Sequence, residues 1–364
     1  MQPNKRKFLK YKKPLFFAVL AGVLLTVIFF MIKFLLPLYS LIGQSGLNLT
    51  TAVSLLTDKE GGMLKKADNR TNMLLLGISG GSHEGATLTD SIIFLSLDFA
   101  NRDNVMISVP RDIWLPSLKT KINSTYYYGE SKRKGGGITL TKSAVSEIFG
   151  IPVHYAALLD FDNFREVIDT LGGIDIEVES AFEDEKFPIQ GRENDFCAGD
   201  PEFKCRYETV TFEKGRQHMD GEKALKFVRS RNAENGEGND FSRGKRQQLV
   251  LKAFVEKLKQ SVSLNNIKLA KELSAEITRA IDTDLKFSEM LVLGKYLMQD
   301  RLPEFRQIVM DTGDKQKKIG GILENPPVWQ YDGQWVLVPK DTDYDKFREY
   351  LDCHLNDPAC QIKP

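Results

Sequence analysis

The chain begins with a basic tail followed by one long apolar run. Residues 1–13 carry six basic side chains and no acid, and the run from Pro14 to Ile32 is uncharged. As a helix, this run spans roughly 28 Å, close to the hydrocarbon thickness of a bilayer. The pattern predicts a single transmembrane helix over 14–38, with the tail in the cytoplasm and the rest of the chain outside. A cleaved signal peptide is the alternative, but its apolar core is usually shorter and ends at a small-residue cleavage site.

The remainder alternates between strand and helix patterns after a polar stem over 39–70. Short apolar runs predict strands at 72–78, 91–97, 104–109, 153–160 and 174–178. Helical spacing predicts helices at 141–149, 162–171, 221–229, 240–260, 266–280 and 287–299. The turn FANRDN joins the second and third strands, which indicates a hairpin. This alternation predicts an α/β fold with one mixed central sheet flanked by helices, placed after the transmembrane helix.

Polar residues mark several helix starts. Asp160 or Asp162 is placed to cap one helix and Asp220 another, because a side-chain oxygen can accept from the first free backbone N–H groups. Thr141 is predicted to cap the helix that ends at Phe149, with the glycines of 135–137 forming a loop before it. We assign residues 71–305 to one domain outside the membrane and 306–364 to an extension that completes the domain edge.

The charge balance makes any anion site local. The chain has 50 basic and 49 acidic residues, so without the six basic residues of the tail 44 bases face 49 acids. The outer part therefore has no global field that attracts polyanions. Its predicted location outside the cell also argues against nucleic acid as a partner.

Four cysteines form two couples that are close in sequence. They are Cys197 with Cys205 and Cys353 with Cys360. Neither couple has the C-x-x-C spacing of a zinc site, and only His354 lies next to a cysteine. We predict two local disulfides, as expected outside the cell, with free thiols or a metal site as the alternatives.

Fixed positive charge is concentrated in the stretch FVRSRNAENGEGNDFSRGKRQQ. Arg229 and Arg231 are separated by one residue, and Arg243, Arg246 and Gln247 follow. Guanidinium groups hold phosphate oxygens in a bidentate way and keep their charge at physiological pH. The stretch therefore suggests phosphate chemistry, although a salt-bridged and solvated helix start is the ordinary alternative.

Seven stretches together resemble the LytR-CpsA-Psr family of membrane-anchored cell-wall phosphotransferases. They are NMLLLGI, LTDSIIFLSLD, VMISVPRDIWL, KINSTYYYG, GIPVHYAALLDFDNFREVIDTLGGIDIEV, FEKGRQHMDGEKALKFVRSRN and DFSRGKRQQLVLKAF, in the family's order between Asn72 and Phe254. The resemblance implies transfer of a polyprenyl-pyrophosphate-linked glycopolymer, by way of its phosphate, onto a peptidoglycan acceptor. It also implies an α/β sandwich with a long apolar pocket for the membrane lipid chain, and Mg²⁺ or Mn²⁺ at the pyrophosphate.

The same resemblance assigns roles to residues. Arg111, Arg229, Arg231 and Arg243 form the predicted phosphate clamp. Asp90 is predicted to hold the metal, or else to orient an attacking hydroxyl. We take Asp90, Arg111, Arg229 and Arg231 as catalytic and Lys121, Arg243, Gln247 and Arg246 as phosphate-binding.

Each assignment has an ordinary alternative. Asp90 could end a turn, Arg111 could pair locally with Asp112, and Lys121 could be a surface lysine. Arg246 lies one position aside from the helix face shared by Asp240, Arg243 and Gln247, and pairing with an acid is its alternative role. The residues of 126–128 (YYY) are predicted to form a packed aromatic cluster, with sugar stacking as the alternative.

The chain departs from the family pattern in the loop after the first strand. Ser79 stands where an Asp is expected, and Leu88 where an Arg is expected. One metal ligand and one phosphate contact are therefore missing, for which His83 and Glu84 could compensate. Two other functions stay open: hydrolysis of the lipid-linked pyrophosphate by water, and binding of undecaprenyl-linked polymers without catalysis.

Overall fold

The computed structural model describes most of the outer part of the chain. The described residues are 61–81, 85–192, 194–233, 237–238, 240–261, 273, 275–277, 279–297, 305–314 and 319–363. The predicted basic tail, transmembrane helix and most of the stem lie outside these residues, as do His83, Glu84 and most of the predicted helix 266–280. Among the described helices, none is both long enough and apolar enough to cross a bilayer.

Sixteen strands and seven α-helices have their bounds in the described residues, and residues 273, 275–277, 279 and 280 are helical as well. The strands are β1 (Arg70–Ile78), β2 (Thr89–Asp98), β3 (Asn104–Ser108), β4 (Trp114–Leu115), β5 (Thr120–Lys121), β6 (Tyr155–Asp160), β7 (Ile174–Val178), β8 (Phe182–Pro188), β9 (Tyr207–Phe212), β10 (Gly215–Met219), β11 (Asp282–Thr283), β12 (Phe305–Val309), β13 (Gly313–Asp314), β14 (Ile319–Gly320), β15 (Leu323–Glu324) and β16 (Val338–Pro339). The helices are α1 (Thr125–Lys132), α2 (Gly136–Phe149), α3 (Phe161–Thr170), α4 (Gly221–Arg229), α5 (Asp240–Ser261), α6 (Phe287–Leu297) and α7 (Tyr344–Asn356).

A six-stranded mixed sheet forms the centre, in the order β11-β6-β1-β2-β3-β12. β1 is antiparallel to β2 and parallel to β6, and β3 is antiparallel to β2 and parallel to β12. The predicted hairpin between β2 and β3 is therefore confirmed, and so is the mixed sheet. The predicted boundary between residues 305 and 306 falls inside β12, so the C-terminal segment supplies an edge strand of this sheet.

The two faces of the sheet bury different apolar side chains, because successive side chains of a strand point to opposite faces. On one face, Leu74 and Leu76 of β1 pack with residues of α2 and α7, such as Val145 and Leu351. On the other, Met73 packs in a cluster with residues of α6. Helices thus cover both faces, which gives the α/β sandwich that the sequence predicts.

A second apolar core lies beside the sheet. It combines β7 to β10 with α3, α4 and α5, and the rings of Phe182, Phe212 and Phe227 pack against one another at its centre. Asp160 caps α3 by accepting from Asn163 N at 2.8 Å, and Asp220 caps α4 by accepting from Lys223 N at 2.8 Å. Both caps confirm the predicted helix starts.

The helical hairpin of α1 and α2 differs from the prediction. α2 begins at Gly136, not at Thr141, whose hydroxyl donates to Gly137 O inside the helix at 2.9 Å. Gly136 and Gly137 are part of the helix, and Gly135 is its N-cap. The two helices nearly touch, since a Cβ on Gly136 would lie 2.3 Å from Gly129 O. The prediction of a plain loop is wrong for Gly136 and Gly137 because sequence spacing does not reveal this close approach.

Both predicted disulfides are present, Cys197–Cys205 and Cys353–Cys360. The first closes the connection between β8 and β9, and the second ties the end of α7 to the following turn. One group of potential metal ligands occurs in the described residues, Asp195 with Cys197 and Cys205. Its sulfur atoms are bonded to each other, so they offer no thiolate to zinc.

Candidate functional site

One edge of the central sheet gathers most of the predicted site. The carboxyl ends of β1, β3 and β6 meet there with the amino end of β2, because β2 alone runs in the opposite direction among these four strands. Asp90 is the second residue of β2, and Arg111 follows the end of β3. Phe161, the first residue of α3, follows β6 directly. Residues far apart in sequence are therefore brought to one rim.

A chain of four charges runs along this rim. Arg111 Nη1 contacts Asp90 Oδ1 at 2.5 Å, and Arg111 Nε lies 3.5 Å from Asp112 Oδ2. Lys121 Nζ donates to Asp112 Oδ1 at 2.7 Å. The Asp90 side chain is 36% exposed and that of Arg111 26%, so both remain accessible from solvent. The two acids balance the two bases, so these four side chains together carry no net charge.

Backbone contacts hold this rim in place. Thr89 donates through its hydroxyl to Asn123 O at 3.1 Å, and Asn123 N donates to Arg111 O at 3.2 Å. The segment KIN is therefore fixed against both the start of β2 and the loop after β3. Asp112, which sequence reasoning treated only as a possible partner of Arg111, links Arg111 to Lys121.

Arg229 ends α4 and lies against two aromatic rings. Its guanidinium carbon is 4.4 Å from the ring centre of Phe161 and 5.2 Å from that of Phe187. Such cation–π contacts hold a guanidinium against the faces of the rings. Because Phe161 follows β6, the contact places Arg229 at the same edge of the sheet as Asp90.

A buried carboxylate positions the backbone of Arg231. Asp184, fully buried in β8, accepts at Oδ2 from Ser230 Oγ at 2.9 Å, Arg231 N at 3.0 Å and Asn232 N at 3.2 Å. The side chain of Arg231 itself is exposed. Sequence reasoning missed Asp184, although the strand FEDEKFP carries a signal: Asp184 is two residues after the buried Phe182 and thus shares its inward face.

α5 lies across the end of β3. A Cβ on Gly244 would lie 2.7 Å from Ser108 Oγ, so the helix backbone contacts the last residue of the strand. Arg243 and Gln247 flank this contact, and both are partly exposed. The structure therefore places the start of α5 beside the loop that carries Arg111.

Arg246 has a different role from the one predicted. It is 3% exposed and donates to Phe227 O and Glu237 O at 2.9 Å, and also to Ser230 O. Its Nη1 lies 3.2 Å from a Glu237 carboxylate oxygen, and burial lowers its pKa to about 10. With its donors used inside the protein, Arg246 ties α5 to the end of α4. The prediction of a phosphate contact is corrected, and its alternative, pairing with an acid, is what the structure shows.

The predicted tyrosine cluster divides in two. Tyr126 is buried against Gly137, whereas Tyr127 and Tyr128 are 48% and 43% exposed. The packed interpretation holds for Tyr126 alone.

Asp90, which the resemblance assigns to a metal ion, is one accessible carboxylate at the rim. Ser79 Oγ donates to Ala86 O at 3.4 Å, and Leu88 brings no polar group. In the described part of the chain, no second or third acid joins Asp90 in a group close enough to surround an ion. Mg²⁺ is often bound by one or two carboxylates plus substrate phosphates, and one accessible carboxylate fits that arrangement.

The sheet face beneath α5 is incompletely covered near the rim. Leu75 of β1, Ala157 and Leu159 of β6 and Leu251 of α5 are only partly buried. The opposite face of the same strands, with Leu74, Leu76, Ala156 and Leu158, is buried. An apolar strip thus leads from the charged rim along the sheet.

Comparison with known proteins agrees with this architecture. The sequence model of the LytR_cpsA_psr family matches residues 47–334. Among curated proteins, the chain is 27% identical over 292 residues to the polyisoprenyl-teichoic acid–peptidoglycan teichoic acid transferase TagV of Bacillus subtilis, covering 78% of this chain and 64% of TagV. It is 29% identical over 202 residues to the transferase TagT of the same organism, covering 53% of this chain and 54% of TagT. The match therefore spans less than two thirds of the length of either relative.

Solved structures show the same fold. The crystal structure of B. subtilis TagV superposes with a TM-score of 0.54 at 25% identity, covering 80% of this chain and 99% of TagV as crystallised. The structure of TagT bound to LIIa-WTA superposes with a TM-score of 0.53 at 22% identity, covering 82% and 97% of the two chains.

Proposed function

The chain belongs to the LytR_cpsA_psr family, and from this premise we propose that it transfers a polyprenyl-pyrophosphate-linked glycopolymer, through its phosphate, onto peptidoglycan. The observation that carries the proposal is the sheet edge, where Arg111 pairs with Asp90 and Arg229 lies against Phe161. The relatives' names describe this type of transfer for teichoic acid. For this chain we propose a lipid-linked glycopolymer as the substrate and name no particular polymer.

The reaction needs positioning and charge stabilisation more than covalent help. A hydroxyl of the acceptor attacks the phosphorus that carries the glycopolymer and loses its proton to solvent. A new P–O bond forms, the bond to the bridging oxygen breaks, and polyprenyl phosphate leaves with the electron pair. Arg229, Arg231 and Arg243 stabilise the charge that develops on the phosphate oxygens, and the phenyl rings beneath Arg229 fix its plane.

Arg111 changes partners in this proposal. Without substrate it pairs with Asp90. When its guanidinium turns to a pyrophosphate oxygen, the Asp90 carboxylate is released, and Asp90 with phosphate oxygens would then hold Mg²⁺ or Mn²⁺. The ion would neutralise charge on the pyrophosphate. Metal affinity is therefore proposed to depend on substrate, since the Asp90 carboxylate is already paired with Arg111 in the free protein.

The apolar strip is the proposed place of the polyprenyl chain. Leu75 of β1 and Leu251 of α5 pack against the same apolar cluster on this face of the sheet, and a lipid lying along it would present its pyrophosphate to the clamp. The long pocket that the resemblance implies remains a prediction. We further propose that the apolar N-terminal run anchors the protein in the cell membrane, with the α/β domain outside.

One assay tests the activity. The full chain is incubated with a polyprenyl-pyrophosphate-linked saccharide and Mg²⁺, with and without peptidoglycan. Product attached to peptidoglycan, formed only with the acceptor present, supports the transferase. Release of phosphorylated saccharide at equal rates with and without acceptor would make the protein a hydrolase, and binding without turnover would make it a binding module.

Calorimetry tests the substrate-dependent metal site. Mg²⁺ is expected to bind weakly to the protein alone and firmly with the pyrophosphate substrate present. Asp90→Ala should remove the substrate-dependent part. Tight binding without substrate that survives Asp90→Ala would refute the proposed site.

A further inference from the structure

Two exposed tryptophans lie beside the charged rim and have no role in the chemistry above. The segment between β15 and β16, residues 325–337, has the sequence NPPVWQYDGQWVL, and we call it the tryptophan loop. Trp329 is 77% exposed and Trp335 47% exposed. Large apolar side chains this open to solvent, two of them within one 13-residue loop, mark interaction sites more often than single exposed residues do.

The tryptophan loop is attached directly to the site. Leu337 N donates to Asp112 O at 2.9 Å, and Trp114 N donates to Leu337 O at 2.8 Å. Asp112 is the residue whose carboxylate pairs with both Arg111 and Lys121. One backbone hydrogen bond therefore separates the loop from the charged rim.

The loop is rigid enough to present its tryptophans in a fixed way. β15 and β16 pair at its base, and Asn325 Nδ2 donates to Val336 O at 2.7 Å. Gly333 N and Gln334 N each donate to a backbone oxygen of the short helix Val328–Tyr331, at 2.9 Å. The ring of Tyr331 meets the ring of the buried Trp114 edge-on, with centres 5.1 Å apart. Little conformational freedom is left to lose when a ligand binds.

The chemistry of the loop fits a neutral sugar chain. Its charged residues are one acid, Asp332, and no base, so it lacks the lysines and arginines that attract anionic lipid headgroups. Indole rings offer flat apolar faces against which the C–H face of a sugar ring packs. The exposed amide of Gln330 can both donate to and accept from sugar hydroxyls.

We infer that the tryptophan loop binds the glycan strand of the peptidoglycan acceptor and leads it to the charged rim. Trp329 and Trp335 stack on successive or neighbouring sugar rings, while the amides satisfy hydroxyl groups. The inference rests on the proposed function, because an acceptor glycan is needed only if the site transfers a polymer to one. These tryptophans are specificity residues and do not touch the reacting phosphate.

The test measures glycan binding apart from catalysis. The full chain in detergent is titrated by calorimetry with peptide-free glycan strands of peptidoglycan whose lactyl carboxyl groups are amidated, so that the strands are neutral, and separately with vesicles that contain anionic lipid. Trp329→Ala and Trp335→Ala should each weaken glycan binding about ten-fold, which corresponds to about 1.4 kcal/mol. Phe in either position should restore part of the affinity. Phe196→Ala is the matched control, because Phe196 is 81% exposed but lies in the connection between β8 and β9, and this variant should bind glycan like the wild type.

Transfer kinetics give a second readout. Both tryptophan variants should raise KM for the acceptor and leave kcat at saturating acceptor unchanged. Wild-type glycan affinity in both variants would overturn the inference. Variants that lose vesicle binding but keep glycan binding would overturn it too, and would make the loop a membrane contact. If the wild-type chain binds glycan through these tryptophans but shows no transfer, the proposed function fails and the binding site stands. If transfer occurs with an unchanged acceptor KM in both variants, the function stands and the inference fails.

Discussion

Replacing Asp184 with Asn should damage the site from a distance. Asp184 is fully buried, and its Oδ2 accepts from Ser230 Oγ, Arg231 N and Asn232 N, while Oδ1 accepts from Lys186 N at 3.1 Å. An Asn amide keeps the shape of the carboxylate but has one oxygen and no charge. If the Asn oxygen takes the place of Oδ2, it still accepts from the three donors of residues 230–232. The NH₂ group then faces Lys186 N–H, which loses its acceptor.

The magnitude follows from these four contacts. Leaving one buried donor without an acceptor costs about 1–3 kcal/mol, and the other three bonds lose the strengthening that a charged acceptor gives. Together we expect the free energy of unfolding to fall by about 2–4 kcal/mol, and the melting temperature by roughly 5–10 °C. Because the backbone of Arg231 loses its fixed position, we expect kcat/KM for transfer to fall by roughly ten- to a hundred-fold.

Thermal unfolding and turnover of the purified variant measure both effects. Asp345→Asn is the matched control, since it makes the same chemical change on a side chain that is 93% exposed. That control should stay within about 0.5 kcal/mol of the wild type. An Asp184→Asn protein that melts and transfers like the wild type would show that the carboxylate does not hold the Arg231 segment.

Four further predictions concern single sites. Arg229→Ala and Arg231→Ala should each lower transfer by roughly 10²–10³-fold, with Lys restoring only part because it cannot bind in a bidentate way; wild-type rates in both Ala variants would refute the phosphate clamp. Gly136→Ala should lower the free energy of unfolding by about 1–3 kcal/mol in denaturant titrations, because its Cβ would lie 2.3 Å from a carbonyl oxygen. Arg246→Ala should lower it by about 2–4 kcal/mol, since three backbone oxygens lose a donor. Burial raises the pKa of the Tyr155 hydroxyl from 10.0 to about 12, so above pH 10 the unfolded chain loses this proton before the folded protein does. The free energy of unfolding should therefore fall as the pH rises above 10, and it should fall less steeply in Tyr155→Phe.

The sequence predicted those parts of the fold that depend on local patterns. Strands β1 to β3 and β6 follow from apolar runs, and α3 and α4 start at the predicted aspartates because a cap is a contact over three residues. The start of α2 was missed because it depends on how closely Gly136 approaches Gly129, which are in different helices. Periodicity within one helix contains no information about that contact.

In the candidate site, too, local motifs were predictive and long-range contacts were not. Asp90, Arg111 and Arg229 were named from motifs, and the sheet edge brings them together. The burial of Arg246 could not be read from its motif, because its acceptors lie in α4 and in the segment after it. Asp184 was missed for a related reason: an acid in a strand of alternating pattern looks like a solvent-facing residue until the inward face of the strand is known.

The placement of the two disulfides bears on how the chain acquires them. Four cysteines allow three pairings, and only one of these joins neighbours that are 8 and 7 residues apart. A cross pairing has to close a loop of about 150 residues, which costs about 2.6 kcal/mol more in loop-closure entropy than a loop of eight. The two cysteines of a native pair should therefore meet roughly 80 times more often than those of a cross pair, so native pairs should form first under oxidising conditions. Oxidation can then precede assembly of the long-range sheet, and the protein needs no disulfide reshuffling to reach its final state.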